Sequence, residues 1–129
     1  MRCKILVVDD EPDLVELVAF NLKAEGYEVL TAGTGPEALQ LARQARPDLI
    51  VLDLMLPELD GLAVCEMLRQ FSPTAAIPII MLTAWSTDLA RTIGLATGAE
   101  DYMTKPFSPR ELVARVNTVL KLHAQPKVS

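Results

Sequence analysis

The sequence predicts a three-layer α/β/α sandwich on a five-stranded parallel sheet with five helices. Three observations lead there. Five short apolar runs alternate with longer amphipathic stretches. Such alternation implies βα units, and βα units imply a parallel sheet. The runs are nearly continuous in apolar residues, as strands covered on both faces should be. At 129 residues the chain suits one domain with one sizeable core. That domain is expected over residues 1–123, with 124–129 a frayed tail or the start of a linker.

The elements follow in order. Cys3 to Val8 is the first strand. Glu11-Pro12-Asp13 opens the first helix, with proline near a position whose N–H has no helical partner anyway. Leu14, Leu17, Val18 and Leu22 recur at i, i+3, i+4 and i+8 as its apolar face, and Gly26 stops it. Tyr27 to Ala32 is the second strand. Thr34-Gly35-Pro36-Glu37 starts the second helix, with Ala38, Leu39 and Ala42 facing inward. Pro47 breaks the chain before the third strand, Leu49 to Asp53. Pro57 to Gly61 is a loop, and Leu62 to Phe71 is the third helix, its exit bracketed by Pro73 and Pro78. Ile77 to Leu82 is the fourth strand. Ser86 to Ala96 is a fourth helix of weaker periodicity, ended by Gly98, and Asp101 to Thr104 is a short fifth strand. Ser108 caps the fifth helix, with Pro109 at its first position and Glu111 closing a capping box. Leu112, Val116, Val119 and Leu120 line that helix.

Composition removes several function classes. Half the residues are hydrophobic, so the chain is not disordered. No apolar run approaches the length that spans a bilayer, and the start, MRCKILVVDDE, does not read as a signal peptide. No membrane partner is expected, and the compartment is expected to be cytoplasmic. Net charge is -5, from 12 Lys and Arg against 17 Asp and Glu. That argues against this domain gripping nucleic acid by itself. Cys3 and Cys65 lie in no CxxC or Cys/His cluster, so they read as free thiols, not zinc ligands. His123, alone near the tail, reads as a surface histidine.

The chemistry gathers at strand ends. In open parallel sheets functional groups collect at the carboxyl edge, most of all where strand order reverses. Asp9-Asp10 follows the first strand, and Asp53 ends the third. Thr83-Ala84 ends the fourth, and Lys105-Pro106 follows the fifth. If the strand order is 2-1-3-4-5, an order borrowed from known doubly wound sheets, Asp9, Asp10 and Asp53 share one pocket. Three carboxylates repel unless cations offset them. Lys105 is one such cation, and a hard divalent ion, Mg²⁺ or Mn²⁺, is the other. Three acids, a hydroxyl and an ammonium suit phosphoryl transfer onto an aspartate nucleophile.

At these residues the chain resembles a known family, the flavodoxin-like (CheY-like) receiver domain of bacterial two-component response regulators. The resemblance covers residues 3–122 through "ILVVDDE", "PDLIVLDLMLPELDG", "IPIIMLTA" and "GAEDYMTKPFSPREL". It implies a sensor histidine kinase as partner and Asp53 as phosphoacceptor. Asp10, Asp53 and the backbone carbonyl of Met55 would ligate the metal directly, and Asp9 through a water. Thr83 and Lys105 would hold phosphoryl oxygens, and the Lys105-Pro106 bond would be cis. Thr83 and Tyr102 would form the conformational switch.

The stretches 89–95 and 100–115 are most similar to the winged-helix DNA-binding class of response regulators. That class dimerises through the fourth helix, fifth strand and fifth helix. Arg91, Asp101, Glu111 and Arg115 match its charged positions, with Leu122 and Ala90 as departures. DNA would then be reached only through an effector domain outside this chain. Met55 and Trp85 occupy the positions that tune phosphoryl lifetime in the family; both are bulky and apolar, which implies slow hydrolysis. Three rival readings stand beside this one. A phosphatase or phosphotransferase with an aspartate nucleophile would want a second acid where Met55 stands. A flavin carrier would want a Ser/Thr/Gly-rich loop where Asp-Asp-Glu-Pro-Asp stands. A degenerate receiver acting only as a binding module would lack site residues that are all present.

Overall fold

In the computed structural model, which describes residues 2–84, 92, 96 and 98–124, five strands pair in parallel. They are β1 (Lys4–Val8), β2 (Glu28–Ala32), β3 (Leu49–Asp53), β4 (Ile79–Thr83) and β5 (Asp101–Thr104). Their order is β2-β1-β3-β4-β5, as expected. Described end to end are α1 (Pro12–Ala24), α2 (Gly35–Ala45), α3 (Gly61–Gln70) and a C-terminal helix (Pro109–Ala124). Most of the expected fourth helix lies outside the described residues; Thr92 and Ala96 are described, and both are helical. Residues 125–129 of the expected tail lie outside them as well.

The strand period of two divides the core into halves. Successive side chains point to opposite faces. Leu6, Val8, Ile50, Leu52, Ile79 and Met81 pack on one face with Ala38, Ala42, Val64 and Leu68 of α2 and α3. Ile5, Val7, Leu49, Val51, Ile80 and Leu82 pack on the other with Val18, Leu22, Leu112, Val116 and Val119 of α1 and the C-terminal helix. Every residue of β3 and β4 is buried. Continuous apolar strands were the sequence signal for this arrangement.

Three local expectations are corrected. Leu17 is 48% exposed and is no part of the buried face of α1, which Val18, Ala19 and Leu22 form. The i+3 step from Leu14 puts it at the edge of the stripe. β4 begins at Ile79, not Ile77, because Pro78 lacks the N–H that a parallel ladder needs. The capping box at Ser108 is half formed. Ser108 Oγ accepts from the N–H groups of Arg110 and Glu111 at 3.2 and 3.4 Å, but the Glu111 carboxylate turns to Arg115. At α2 a reciprocal pair does form. Thr34 Oγ1 accepts from Glu37 N–H at 3.2 Å, and Glu37 Oε1 accepts from Gly33 N–H at 2.8 Å. Neither cysteine forms a disulfide; Cys65 is buried as a core thiol should be, whereas Cys3 is only half-buried.

Candidate functional site

Strand register brings the predicted residues to one level. Val8 pairs with Leu52, so Asp9 emerges beside Asp53. Asp53 pairs with Leu82, so Thr83 stands one residue beyond it. Thr83 pairs with Thr104, and Lys105 N–H then donates to the Thr83 carbonyl at 2.7 Å. The Lys105-Pro106 bond is cis.

Lys105 is the centre of the arrangement. Its Nζ lies 2.8 Å from Asp9 Oδ2, 3.2 Å from Asp53 Oδ2 and 3.4 Å from Glu11 Oε1. Asp9 and Asp53 are each 2% exposed, whereas Asp10 is exposed. Backbone N–H groups take the other carboxylate oxygens. Asp9 Oδ1 accepts from Glu11 at 3.0 Å, and Asp53 Oδ1 accepts from Met55 at 3.0 Å. One oxygen from each of Asp9, Asp10 and Asp53 lies within 4.8 Å of the others. Thr83 is fully buried at the end of β4.

The electrostatics follow from this crowding. Burial pushes the Asp53 carboxyl above the usual aspartate range, and Asp9 pushes the same way. The Met55 N–H and Lys105 oppose them without prevailing. For Lys105 burial disfavours the charge, but the close contact with Asp9 and the charges of Asp53 and Asp9 outweigh it. Its pKa is raised, and it stays an ammonium at neutral pH. Asp9 Oδ2 is buried and receives no well-directed hydrogen bond; the lysine charge is its compensation. Three clustered carboxylates, one of them with a buried oxygen that lacks a hydrogen bond, are a donor set that fits a hard divalent cation.

The remaining predicted residues divide. Tyr102 is buried in the core half that carries α2 and α3. Met55 is 54% exposed while its N–H holds Asp53. Arg115 reaches Asp101 at 2.8 Å and Glu111 at 3.2 Å within the same chain. Burial disfavours the Arg115 charge, but these two acids outweigh it and raise its pKa. Trp85 and Arg91 lie outside the described residues. A groove of about 670 Å³ beside α1 borders Asp9 and Asp10 but not Asp53, Thr83 or Lys105.

Sequence reasoning missed two contributors. Glu11 supplies a third carboxylate to Lys105, and its signal was in plain view in Asp-Asp-Glu. Arg69 Nη1 donates to the carbonyls of Ala75 and Ile77 at 3.1 and 2.7 Å, and its Nη2 to that of Gly98 at 2.7 Å. It ties the exit of α3 to the approach to β5. No spacing rule announces an arginine that binds three carbonyls.

Comparison with known proteins agrees with this geometry. Residues 5–117 match the response regulator receiver domain family. The chain is 54% identical over 121 residues to the alkaline phosphatase synthesis transcriptional regulatory protein PhoP of Bacillus subtilis, covering 94% of this chain and 50% of that protein. It is 48% identical over 121 residues to the DNA-binding response regulator MtrA of Mycolicibacterium smegmatis, covering 94% and 52%. The chain thus spans about half the length of the curated relatives it matches. Among solved structures, the receiver domain of Francisella response regulator 1452 superposes with a TM-score of 0.89 at 35% identity, covering 95% of this chain and 99% of that one. With the predicted acids, threonine and lysine at the carboxyl edge of this sheet, and a family match over most of its length, the chain belongs to the response regulator receiver domain family.

Proposed function

We propose that this domain accepts a phosphoryl group on Asp53 from a phosphohistidine of a sensor histidine kinase. The observation that carries the reading is Lys105 bridging Asp9 and Asp53 at 2.8 and 3.2 Å, at the level of the buried Thr83. An Asp53 oxygen attacks phosphorus, the P–N bond breaks, and the imidazole leaves with the bonding pair and takes a proton. The Met55 N–H fixes the other Asp53 oxygen. Lys105 stays charged through the step and shifts from Asp53 towards the phosphoryl oxygens. The Thr83 hydroxyl is the second donor to those oxygens. Asp10, Asp53 and the Met55 carbonyl would hold Mg²⁺ or Mn²⁺, with Asp9 acting through a water. When bound, that ion offsets negative charge on the transferring group.

The chain is read as a signalling domain that catalyses its own phosphorylation and slow dephosphorylation, not as a metabolic enzyme. Thr83 and Tyr102 shift together on phosphorylation, and Met55 and Trp85 hinder the hydrolytic water. The output face would be the surface of the expected fourth helix, β5 and the C-terminal helix. Arg91, Asp101, Glu111 and Arg115 would exchange partners across a two-fold axis there. The transcriptional and DNA-binding names of the two relatives support an effector domain as the route to DNA and a cytoplasmic setting. Among the described residues no helix is long and apolar enough to cross a membrane.

Intact mass after incubation with Mg²⁺ and acetyl phosphate tests the reading. One phosphoryl adduct on the wild type and none on Asp53→Asn is expected. No adduct on the wild type, under conditions where Mg²⁺ binds, would overturn it in favour of a binding module.

A further inference from the structure

The segment 54–60 between β3 and α3 carries Met55, whose N–H holds Asp53 and whose carbonyl is the proposed metal ligand. It is neither strand nor helix, so its position must be set by what it touches. Two glycines meet it, one near each end. Gly61 is the first residue of α3, and its N–H donates to the Leu54 carbonyl at 2.9 Å. A Cβ on Gly61 would lie 2.2 Å from the Asp53 carbonyl oxygen, 2.8 Å from Leu54 Cα and 3.0 Å from the Asp53 carbonyl carbon. All three are backbone atoms of the acceptor and its neighbour, and backbone cannot rotate aside as a side chain can. Gly35, the first residue of α2, meets the far end of the segment. A Cβ there would lie 2.4 Å from the Leu59 carbonyl oxygen and 2.7 Å from Leu59 Cβ.

We infer that Gly61, with Gly35 supporting it, is a positioning residue for the divalent cation. Its missing side chain lets α3 seat against the Asp53 peptide, and that seat fixes the Met55 carbonyl relative to the carboxylates. The inference rests on the metal reading above. Both helices start with the residue that has no Cβ where the segment passes, so a methyl at either position must displace the segment. Left-handed backbone is not the reason for glycine at these two positions, since positive φ occurs at Gly26 and Gly98 instead. The reason is close approach.

A displaced carbonyl should not affect all cations alike. Mg²⁺ requires near-ideal octahedral geometry at about 2.1 Å, whereas Ca²⁺ accepts irregular shells at about 2.3–2.6 Å. Gly61→Ala should therefore weaken Mg²⁺ about tenfold or more and Ca²⁺ much less, lowering the Mg²⁺/Ca²⁺ affinity ratio. Gly35→Ala should shift the ratio in the same direction by a smaller factor. A merely structural role would weaken both ions equally.

The test is calorimetric titration of the whole chain with MgCl₂ and, separately, CaCl₂. Wild type, Gly61→Ala, Gly35→Ala and Gly26→Ala would be compared. Gly26 has open space around it and φ of +95°, so its alanine variant strains the fold far from the site and should leave the ratio unchanged. A lowered ratio in Gly61→Ala, or in Gly35→Ala if the first variant fails to fold, supports the inference. An unchanged ratio in the folded variants, with wild-type Mg²⁺ binding intact, overturns the inference and leaves the site reading standing. A wild type that binds neither ion overturns both.

Discussion

Replacing Asp53 with asparagine is expected to stabilise the metal-free domain. The Asp53 side chain is 3% exposed, and one of its oxygens lies within 4.8 Å of an Asp9 oxygen. At an effective dielectric near 20, unit charges at that separation repel by about 3.5 kcal/mol. Lys105 at 3.2 Å returns about 5 kcal/mol. Desolvation of a buried ion costs several kcal/mol and tips the balance against the charge. The raised pKa of Asp53 has the same sign. Asparagine keeps the shape and an acceptor for the Met55 N–H, so a net gain of about 2 kcal/mol is expected, or about 7 °C in Tm at this chain length. The folded pKa lies above the unfolded value of about 3.9. The penalty is therefore absent below that pH, grows as pH rises through the folded pKa, and is complete above it. Thermal melts of both chains in EDTA, from about pH 3 to about pH 7, measure it. The gain should vanish near the acid end. Saturating Mg²⁺ should narrow it by stabilising the wild type more. A variant no more stable than wild type at neutral pH in EDTA would refute the reasoning.

Other expectations follow from the same geometry. Lys105→Met leaves two buried carboxylates without their cation and should cost about 3 kcal/mol at neutral pH by urea denaturation in EDTA, with Mg²⁺ restoring part of it. Because the folded pKa of Lys105 is raised, its stabilisation should be full below about pH 10.4 and fade as pH climbs through the higher folded value. Ile80→Ala, at a fully buried central-strand position, should cost about 3 kcal/mol in the same assay. Serine at both Met55 and Trp85 should speed loss of the phosphoryl group, followed by the decay of the mass adduct; unchanged decay would remove the hindrance idea.

The fold was legible because one physical rule governs its centre. β3 and β4 are buried on both faces and read as unbroken apolar runs ending in Asp53 and Thr83. The acids, threonine and lysine were legible for a related reason: a buried strand ends in a polar group where the carboxyl edge must do chemistry. The strand order was not in the residues and came from known sheets. Contacts set by three-dimensional neighbours stayed hidden. Leu17 has the right spacing for the core and misses it by its angle on α1. Glu111 fits a capping box but finds Arg115 one turn away. Asp101 and Arg115 pair within the chain, a juxtaposition that depends on where β5 lies against the C-terminal helix. The close approach of Gly61 to the Asp53 peptide is likewise a product of how α3 docks.

Phosphorylation at Asp53 is the central claim, and borohydride reduction followed by peptide mapping tests it most directly. The chain would be treated with Mg²⁺ and acetyl phosphate, reduced, digested and sequenced by mass spectrometry. An acyl phosphate is reduced to an alcohol, so the modified aspartate should appear as homoserine at position 53 and nowhere else. Homoserine at position 9 or 10, or none at all despite a phosphoryl adduct on the intact chain, would contradict the account.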